Sequence, residues 1–234
     1  MPLTRRAIVL CASAWLAPAR AQPMYESAPR TADGIGKRYM GREISGVMGW
    51  QGASWLERQE REREEGADLL VRELRLTPGM DVADVGAGTG FYTRRIAARV
   101  APGGIVYAAD VQPPMLRLLQ QQASKAGLQN IRPVQSSERA TGLAAQSVDL
   151  ALLVDVYHEL EFPFEVMQDV VRSLRKGGRV VLVEYRAEDS KVPIKPLHKM
   201  SQAQVKKEME PHAVAHESTS DVLPWQHLMV FRKR

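Results

Sequence analysis

Val82-Ala83-Asp84-Val85-Gly86-Ala87-Gly88-Thr89-Gly90-Phe91 is the stretch on which the reading of this chain turns. Its first four residues form an apolar strand carrying one acid, and Phe91 opens a helical segment. Three glycines therefore sit at the turn between strand and helix. Glycine there lets the backbone reverse sharply and approach a ligand with no side chain in the way. In an open parallel sheet, ligands bind beyond the carboxyl ends of the strands, where the strand order reverses. The spacing excludes two ligands. A dinucleotide fingerprint reads G-x-G-x-x-G, whereas G-x-G-x-G here puts Phe91 in the third dinucleotide glycine's place. A phosphate loop ends in Gly-Lys-Ser/Thr, and this loop has no lysine.

Downstream the pattern repeats. Strands are predicted over 81–85, 104–109, 131–135, 148–154 and 179–185, alternating with helices over 91–100, 113–126 and 164–175. The fourth strand, VDLALLV, is apolar nearly throughout, as a strand covered on both faces should be. Strands alternating with long helices imply right-handed crossovers and a parallel sheet. A helix over 201–210 and two strands, 213–219 and 226–232, close the chain. Upstream, 55–76 reads as one helix. Its run ERQEREREE, 57–65, is expected on a solvated face with Glu57 and Arg61 paired one turn apart. Residues 22–52 are rich in glycine, proline and small side chains and show no sustained period. Their aromatics suggest an ordered arm on the body, with Tyr39, Met48 and Trp50 forming an apolar lid.

The extreme N-terminus has a different character. MPLTRRAIVLCASAWLAPARA, 1–21, combines a basic start, an apolar run over 7–17 and the small-residue pattern Ala19-Arg20-Ala21. That order is a secretory signal peptide, and the apolar run is too short to span a bilayer. Thr4-Arg5-Arg6 also resembles a twin-arginine address. The expected organisation is thus a signal over 1–21, an arm over 22–54 and one domain over 55–234, periplasmic or secreted after cleavage, with a cytoplasmic location as the alternative. Cleavage removes three arginines and no acid, so the net charge falls from +5 to +2. A balance near neutrality is no footprint for nucleic acid, and no stable membrane insertion of the mature chain is expected. The single cysteine, Cys11, leaves with the signal, which suits an oxidising compartment. Apolar residues at 44% and charged residues at 25% describe a chain that buries a core, and exclude disorder. Oligomeric state has no signature in the sequence.

The stretch VADVGAGTGFYTRRIA resembles the first motif of the class I S-adenosylmethionine-dependent methyltransferases. Four further pieces follow in that family's order. Val106–Asp110 ends a strand in an acid, and Ser147–Ala151 is similar to the acidic entry to strand four. Leu174–Val181 is similar to the glycine-rich lead into strand five, and the closing helix and strands fit the antiparallel ending. The resemblance covers the chain from about Trp55 onward. It implies a single Rossmann-like, doubly wound α/β fold. The sheet would have seven mostly parallel strands with the last antiparallel, preceded by an N-terminal arm and helix. It implies S-adenosylmethionine as cofactor. Gly86, Gly88 and Gly90 would face its methionine part, with Asp84 helping to hold the ammonium. Asp110 would accept from the ribose hydroxyls, and Gln112 would lie near the adenine. One departure stands out: Gln135-Ser136-Ser137-Glu138 occupies the place after strand three where the family often puts an acid.

Methyl transfer is an in-line displacement whose leaving group departs neutral, so alignment supplies most of the rate. A base matters only where the acceptor carries a proton that must leave. The loop after strand four should lie beside the methyl group, which makes His158, Asp155, Tyr157 and Glu159 the candidates for base or acceptor contact. His198, His212, His216 and His227 show no metal-ligand spacing, and no metal is expected. The cysteine-free body excludes acceptors whose methylation needs a thiolate. The expected acceptor is a small organic molecule, lipid- or quinone-like. The competing reading is an exported module of the same fold that binds the nucleoside without turnover.

Overall fold

The computed structural model describes residues 24–234; the signal expected over 1–21 lies outside them. The described chain opens with an antiparallel three-stranded sheet, β1 (Tyr25–Ser27), β2 (Gly34–Tyr39) and β3 (Arg42–Ser45). The arm is therefore ordered, as expected, but it has regular structure that its lack of apolar period concealed. Tyr39 and Ile44 are buried against the body.

Three short helices follow, α1 (Ala53–Leu56), α2 (Arg61–Glu65) and α3 (Ala67–Glu73). The single helix expected over 55–76 is broken, and Gly66 is one reason. It adopts the left-handed conformation at φ +64°, ending α2 and starting α3. The solvated face expected for 57–65 holds for Gln59, Glu60, Glu62 and Arg63 but not for Arg61 and Glu65, which are buried, and Glu57 pairs with Arg94 rather than Arg61.

The body alternates as the sequence implies. It runs through β4 (Val82–Val85), α4 (Phe91–Val100), β5 (Val106–Asp110), α5 (Pro113–Lys125), β6 (Ile131–Gln135) and β7 (Val148–Val154). Then come α6 (Pro163–Ser173), β8 (Leu174–Tyr185), α7 (Gln202–Met209), β9 (Val214–Ser220) and β10 (Gln226–Lys233). The seven strands order as β6-β5-β4-β7-β8-β10-β9, with β10 antiparallel to both neighbours. β8 starts five residues earlier than expected. Leu174 pairs with Val148 and Arg179 with Leu150, so 175–178 bulge out between two paired stretches.

The two-residue side-chain period of the strands divides the core in two. Val82, Leu150, Leu152, Val181 and Val183 face one side, against Leu70 of α3, Ile96 of α4 and Leu119 of α5. Ala83, Ala151, Leu153, Val180 and Leu182 face the other, against Val170 of α6 and Val205 of α7. Both faces of the sheet are covered, which is why β7 tolerates so few polar residues. No helix among the described residues is long and apolar enough to cross a membrane. The order reverses between β4 and β7, so the loops after these two strands open a crevice at the carboxyl edge.

Candidate functional site

The crevice is a cavity of about 650 Å³, a volume that suits a small-molecule ligand. The glycine loop forms its floor. Gly86, Gly88 and Gly90 have φ of +72°, +54° and +81°, where side chains are strained. Space is closed as well: a Cβ on Gly86 would lie 2.5 Å from Val156 Cγ2, and one on Gly90 would lie 2.7 Å from Leu119 Cγ. The Gly86 and Ala87 amides both donate to the Ala109 carbonyl, which fastens the loop to the end of β5.

Asp110 ends β5 and points its carboxylate into the same crevice. Its Oδ2 accepts from the Gly88 amide at 2.8 Å and its Oδ1 from the Gln112 amide at 2.8 Å. Burial raises the Asp110 pKa, against the pull of those amides. Asp84, on β4, is buried with the Thr93 hydroxyl 2.5 Å from its Oδ2. Burial pushes its carboxyl up to about 6, against the opposing effects of Thr93 and Arg61. Asp155 follows β7 at φ +53°, a conformation aspartate tolerates better than most residues. Its Oδ2 accepts from Gln226 at 2.8 Å, while its Oδ1 is buried and accepts nothing among the described residues. Burial, then Glu65 and Glu184, hold the Asp155 carboxyl well above its ordinary value.

These features fit a cationic nucleoside. An orphaned carboxylate oxygen and a second buried acid beside the glycine loop answer positive charge, and Asp110 keeps acceptor capacity beyond its two amides. Gln112 lines the cavity too, but its side chain is taken by the arm: Oε1 accepts from the Trp50 amide and Nε2 donates to the Met48 carbonyl. Of the expected lid, Met48 reaches the cavity. Tyr39 is buried elsewhere and Trp50 stands half exposed.

The loop after β7 divides its residues between the cavity and the core. His158 and Glu159 face the cavity. The Tyr157 ring is fully buried in the second core cluster and does not line it; only its backbone amide takes part, donating to Glu184 Oε1 at 2.9 Å. Glu184, on β8, also holds His158: Oε2 lies 2.5 Å from Nδ1. Burial works to lower the His158 pKa, but the Glu184 charge and hydrogen bond outweigh it and raise the imidazole above its ordinary value. His198 arrives from the segment between β8 and α7, its Nδ1 3.2 Å from His158 Nε2. The arm secures the loop from behind, with Arg42 and Ser45 both donating to the His158 carbonyl and Arg42 forked onto Glu208.

Two features lay beyond the sequence reading. One is His198, forty positions from His158, for which no local spacing exists to read. The other is Glu65 and its donors. Arg61 donates to Glu65 Oε2 at 2.6 Å and Arg58 to Oε1 at 2.7 Å, and the Tyr185 and Tyr92 hydroxyls also donate to it. The Arg61 guanidinium lies 4.2 Å from the Phe91 ring centroid. The one available signal was Gly66, which separates the charged run from the apolar α3. Away from the cavity, His212 is buried beside Phe164 while His216 is exposed.

Residues 83–182 match the family model described as a methyltransferase domain. The ubiquinone/menaquinone biosynthesis C-methyltransferase UbiE of Bordetella parapertussis is 28% identical over 108 residues, 46% of this chain and 42% of that protein. A protein-L-isoaspartate O-methyltransferase of Aeropyrum pernix is 29% identical over 45% of this chain and 38% of its own length. The chain thus spans less than half the length of these curated relatives. Among solved structures, a SAM dependent methyltransferase from Aquifex aeolicus superposes with a TM-score of 0.76 at 23% identity, covering 80% of this chain and all of that one. Residues 83–182 thus carry a methyltransferase domain, on a chain with the fold of the S-adenosylmethionine-dependent methyltransferases.

Proposed function

We propose that the protein methylates a small, largely apolar acceptor of quinone- or lipid-like character, with S-adenosylmethionine as donor. The observation that carries this is Asp110, held by two backbone amides at the end of β5 with its carboxylate facing the cavity. The donor supplies an electrophilic methyl group on a sulfonium. Asp110 accepts from its ribose hydroxyls, and Asp84 and Asp155 answer its positive charges. The glycine loop gives the backbone the close approach that a side chain would block. Gln112 acts indirectly, tying the arm down over the cavity. Apolar acceptor character is supported by the wall that Val47, Met48, Leu160, Val166 and Ile194 contribute. His158 and Glu159 are the polar groups against that wall, and they meet the acceptor's oxygen or acidic proton. Similarity to a quinone-pathway C-methyltransferase agrees with this choice of acceptor.

Incubation with labelled S-adenosylmethionine and a panel of hydroxylated aromatics, quinols and lipids tests the reading. Label transferred to a quinol or lipid, and lost in Asp110→Ala, is the expected result. Donor binding without transfer to any acceptor favours the non-catalytic module.

A further inference from the structure

Three side chains meet at the acceptor end of the cavity with their ligating atoms turned toward one another. His158 Nε2 and His198 Nδ1 are 3.2 Å apart, His198 Nδ1 and Glu159 Oε1 3.4 Å, and His158 Nε2 and Glu159 Oε1 3.9 Å. Two donors bound to one ion at about 2.0–2.1 Å in tetrahedral geometry stand about 3.3–3.4 Å apart. The triangle is therefore already close to one face of a coordination tetrahedron.

Two of the three ligands are held from behind by a group that leaves the ligating atom turned toward the others, and the third sits on a short helical turn. Glu184 takes His158 Nδ1, which turns Nε2 toward the other two, and the same carboxylate is fixed by the Tyr157 amide. A carboxylate behind a histidine is the usual outer partner of a metal-bound imidazole. The Met48 amide donates to Glu159 Oε2, which leaves Oε1 to face the histidines. His198 closes a single helical turn, Pro196–His198, with its amide bonded to the Lys195 carbonyl. His158 is fully buried, whereas Glu159 and His198 keep partial exposure on the cavity side.

We infer that His158, His198 and Glu159 form a binding site for one divalent first-row transition-metal ion of the zinc type. Two imidazoles and one carboxylate select such an ion over magnesium or calcium, which prefer all-oxygen sets. Three protein ligands leave one position open, as in metal sites that take a substrate. That position opens into the cavity, where an oxygen of the acceptor completes the set. The ion site stands on these side chains alone, while the acceptor's part in it rests on the methyl-transfer reading above. Bound this way, His158 is a ligand rather than a free base.

Cobalt(II) titration into tag-free protein tests the site, with visible ligand-field absorption as the readout. The expected result is one cobalt per chain, with absorption bleached by added zinc. His198→Ala and Glu159→Gln should each weaken cobalt binding at least tenfold. Glu184→Gln, which changes no ligand, should weaken it roughly 10–100-fold through the outer hydrogen bond. Near-ultraviolet circular dichroism of each variant keeps folding separate from binding. No ligand-field spectrum from folded wild-type protein overturns the inference and leaves a hydrogen-bonded pair of histidines beside a carboxylate. A spectrum that survives in both His198→Ala and Glu159→Gln overturns it too, since the ion then sits elsewhere. Transfer of labelled methyl from S-adenosylmethionine, measured on the same samples, reads the methyltransferase assignment independently, so failure of one is distinguishable from failure of the other.

Discussion

The Gly88 amide donates to Oδ2 of Asp110 at 2.8 Å, which joins the turn after β4 to the end of β5 through a single side chain. Asp110 thus shapes the loop as well as lining the cavity. Asp110→Ala is expected to weaken S-adenosylmethionine binding on the order of 100-fold or more, since hydrogen bonds to a charged group contribute roughly 1.5–3 kcal/mol each. It should also lower stability, because an amide left without an acceptor costs about 1–3 kcal/mol. Calorimetric titration and chemical denaturation separate the two. Unchanged affinity in a folded variant would remove Asp110 from the donor site.

Asp84 is expected to give the proposed donor site a pH dependence. Its carboxyl is raised to about 6 in the folded protein by burial. The folded state then holds the proton more tightly than the unfolded chain does. The stability from that proton is complete below the unfolded pKa near ~3.9 and is lost as pH rises through about 6. Donor binding runs the other way, because an ammonium favours the ionised carboxylate. Affinity for S-adenosylmethionine should therefore rise between about pH 5 and about pH 7 and then level off. Asp84→Asn should flatten the profile, weaken binding and stabilise the ligand-free protein at neutral pH. A profile equally steep in the variant would assign the titration to another group.

Gly86→Ala should collapse the glycine loop's fit. The added Cβ would lie 2.5 Å from Val156 Cγ2, in a backbone conformation that costs a side-chain-bearing residue about 1–2 kcal/mol. Loss of donor binding and a lowered melting temperature are expected. Adding Val156→Ala should restore part of the stability by relieving the contact, and leave the conformational cost. Full recovery in the double variant would mean that the positive φ carries no cost.

Glu65 is the common acceptor of Arg58, Arg61, Tyr92 and Tyr185. Glu65→Ala strands a buried guanidinium, a loss that typically costs about 3–5 kcal/mol. Removing the charge as well, in Arg61→Met with Glu65→Ala, should recover a substantial part of it. Urea denaturation of the four proteins in this cycle measures the coupling. Additive effects would show that the pair is not energetically linked.

We also propose that residues 1–21 direct export and that the mature chain begins at Gln22. N-terminal sequencing of protein from fractionated cells checks this. A Gln22 start outside the cytosol is the expected result, and an intact N-terminus on cytosolic protein would refute it.

The body was legible because its information is local and repeated. VDLALLV announces a strand covered on both faces, and the structure shows β7 over the same residues, 148–154. Helix α4 likewise spans the residues that its pattern and the preceding glycine suggest. Asp84, Gly86, Gly88 and Asp110 line one cavity because sheet topology brings the ends of β4 and β5 together wherever such a fold forms, whereas Gly90 turns toward Leu119 of α5. The misses have the opposite character. Arg61 and Glu65 look like any solvated charge pair until Tyr92 and Tyr185, from distant elements, close over them. The three-stranded arm is stitched by backbone hydrogen bonds and by Arg42, not by an apolar period. Tyr157 and His158 are adjacent in the chain, yet one ring fills the core and the other lines the cavity. Only the backbone path of the loop decides which does which.

The arm's attachments allot different work to different stretches of the gene. Arg42 and Ser45 grip the His158 carbonyl, and Met48 and Trp50 engage Glu159 and Gln112, yet all four lie before the matched methyltransferase domain. The matched domain carries the glycine loop and Asp110, while the preceding stretch adds Val47 and Met48 to the cavity wall. On the methyl-transfer reading proposed above, substitutions in this short N-terminal stretch would alter which acceptors fit and leave the residues proposed to hold the donor untouched.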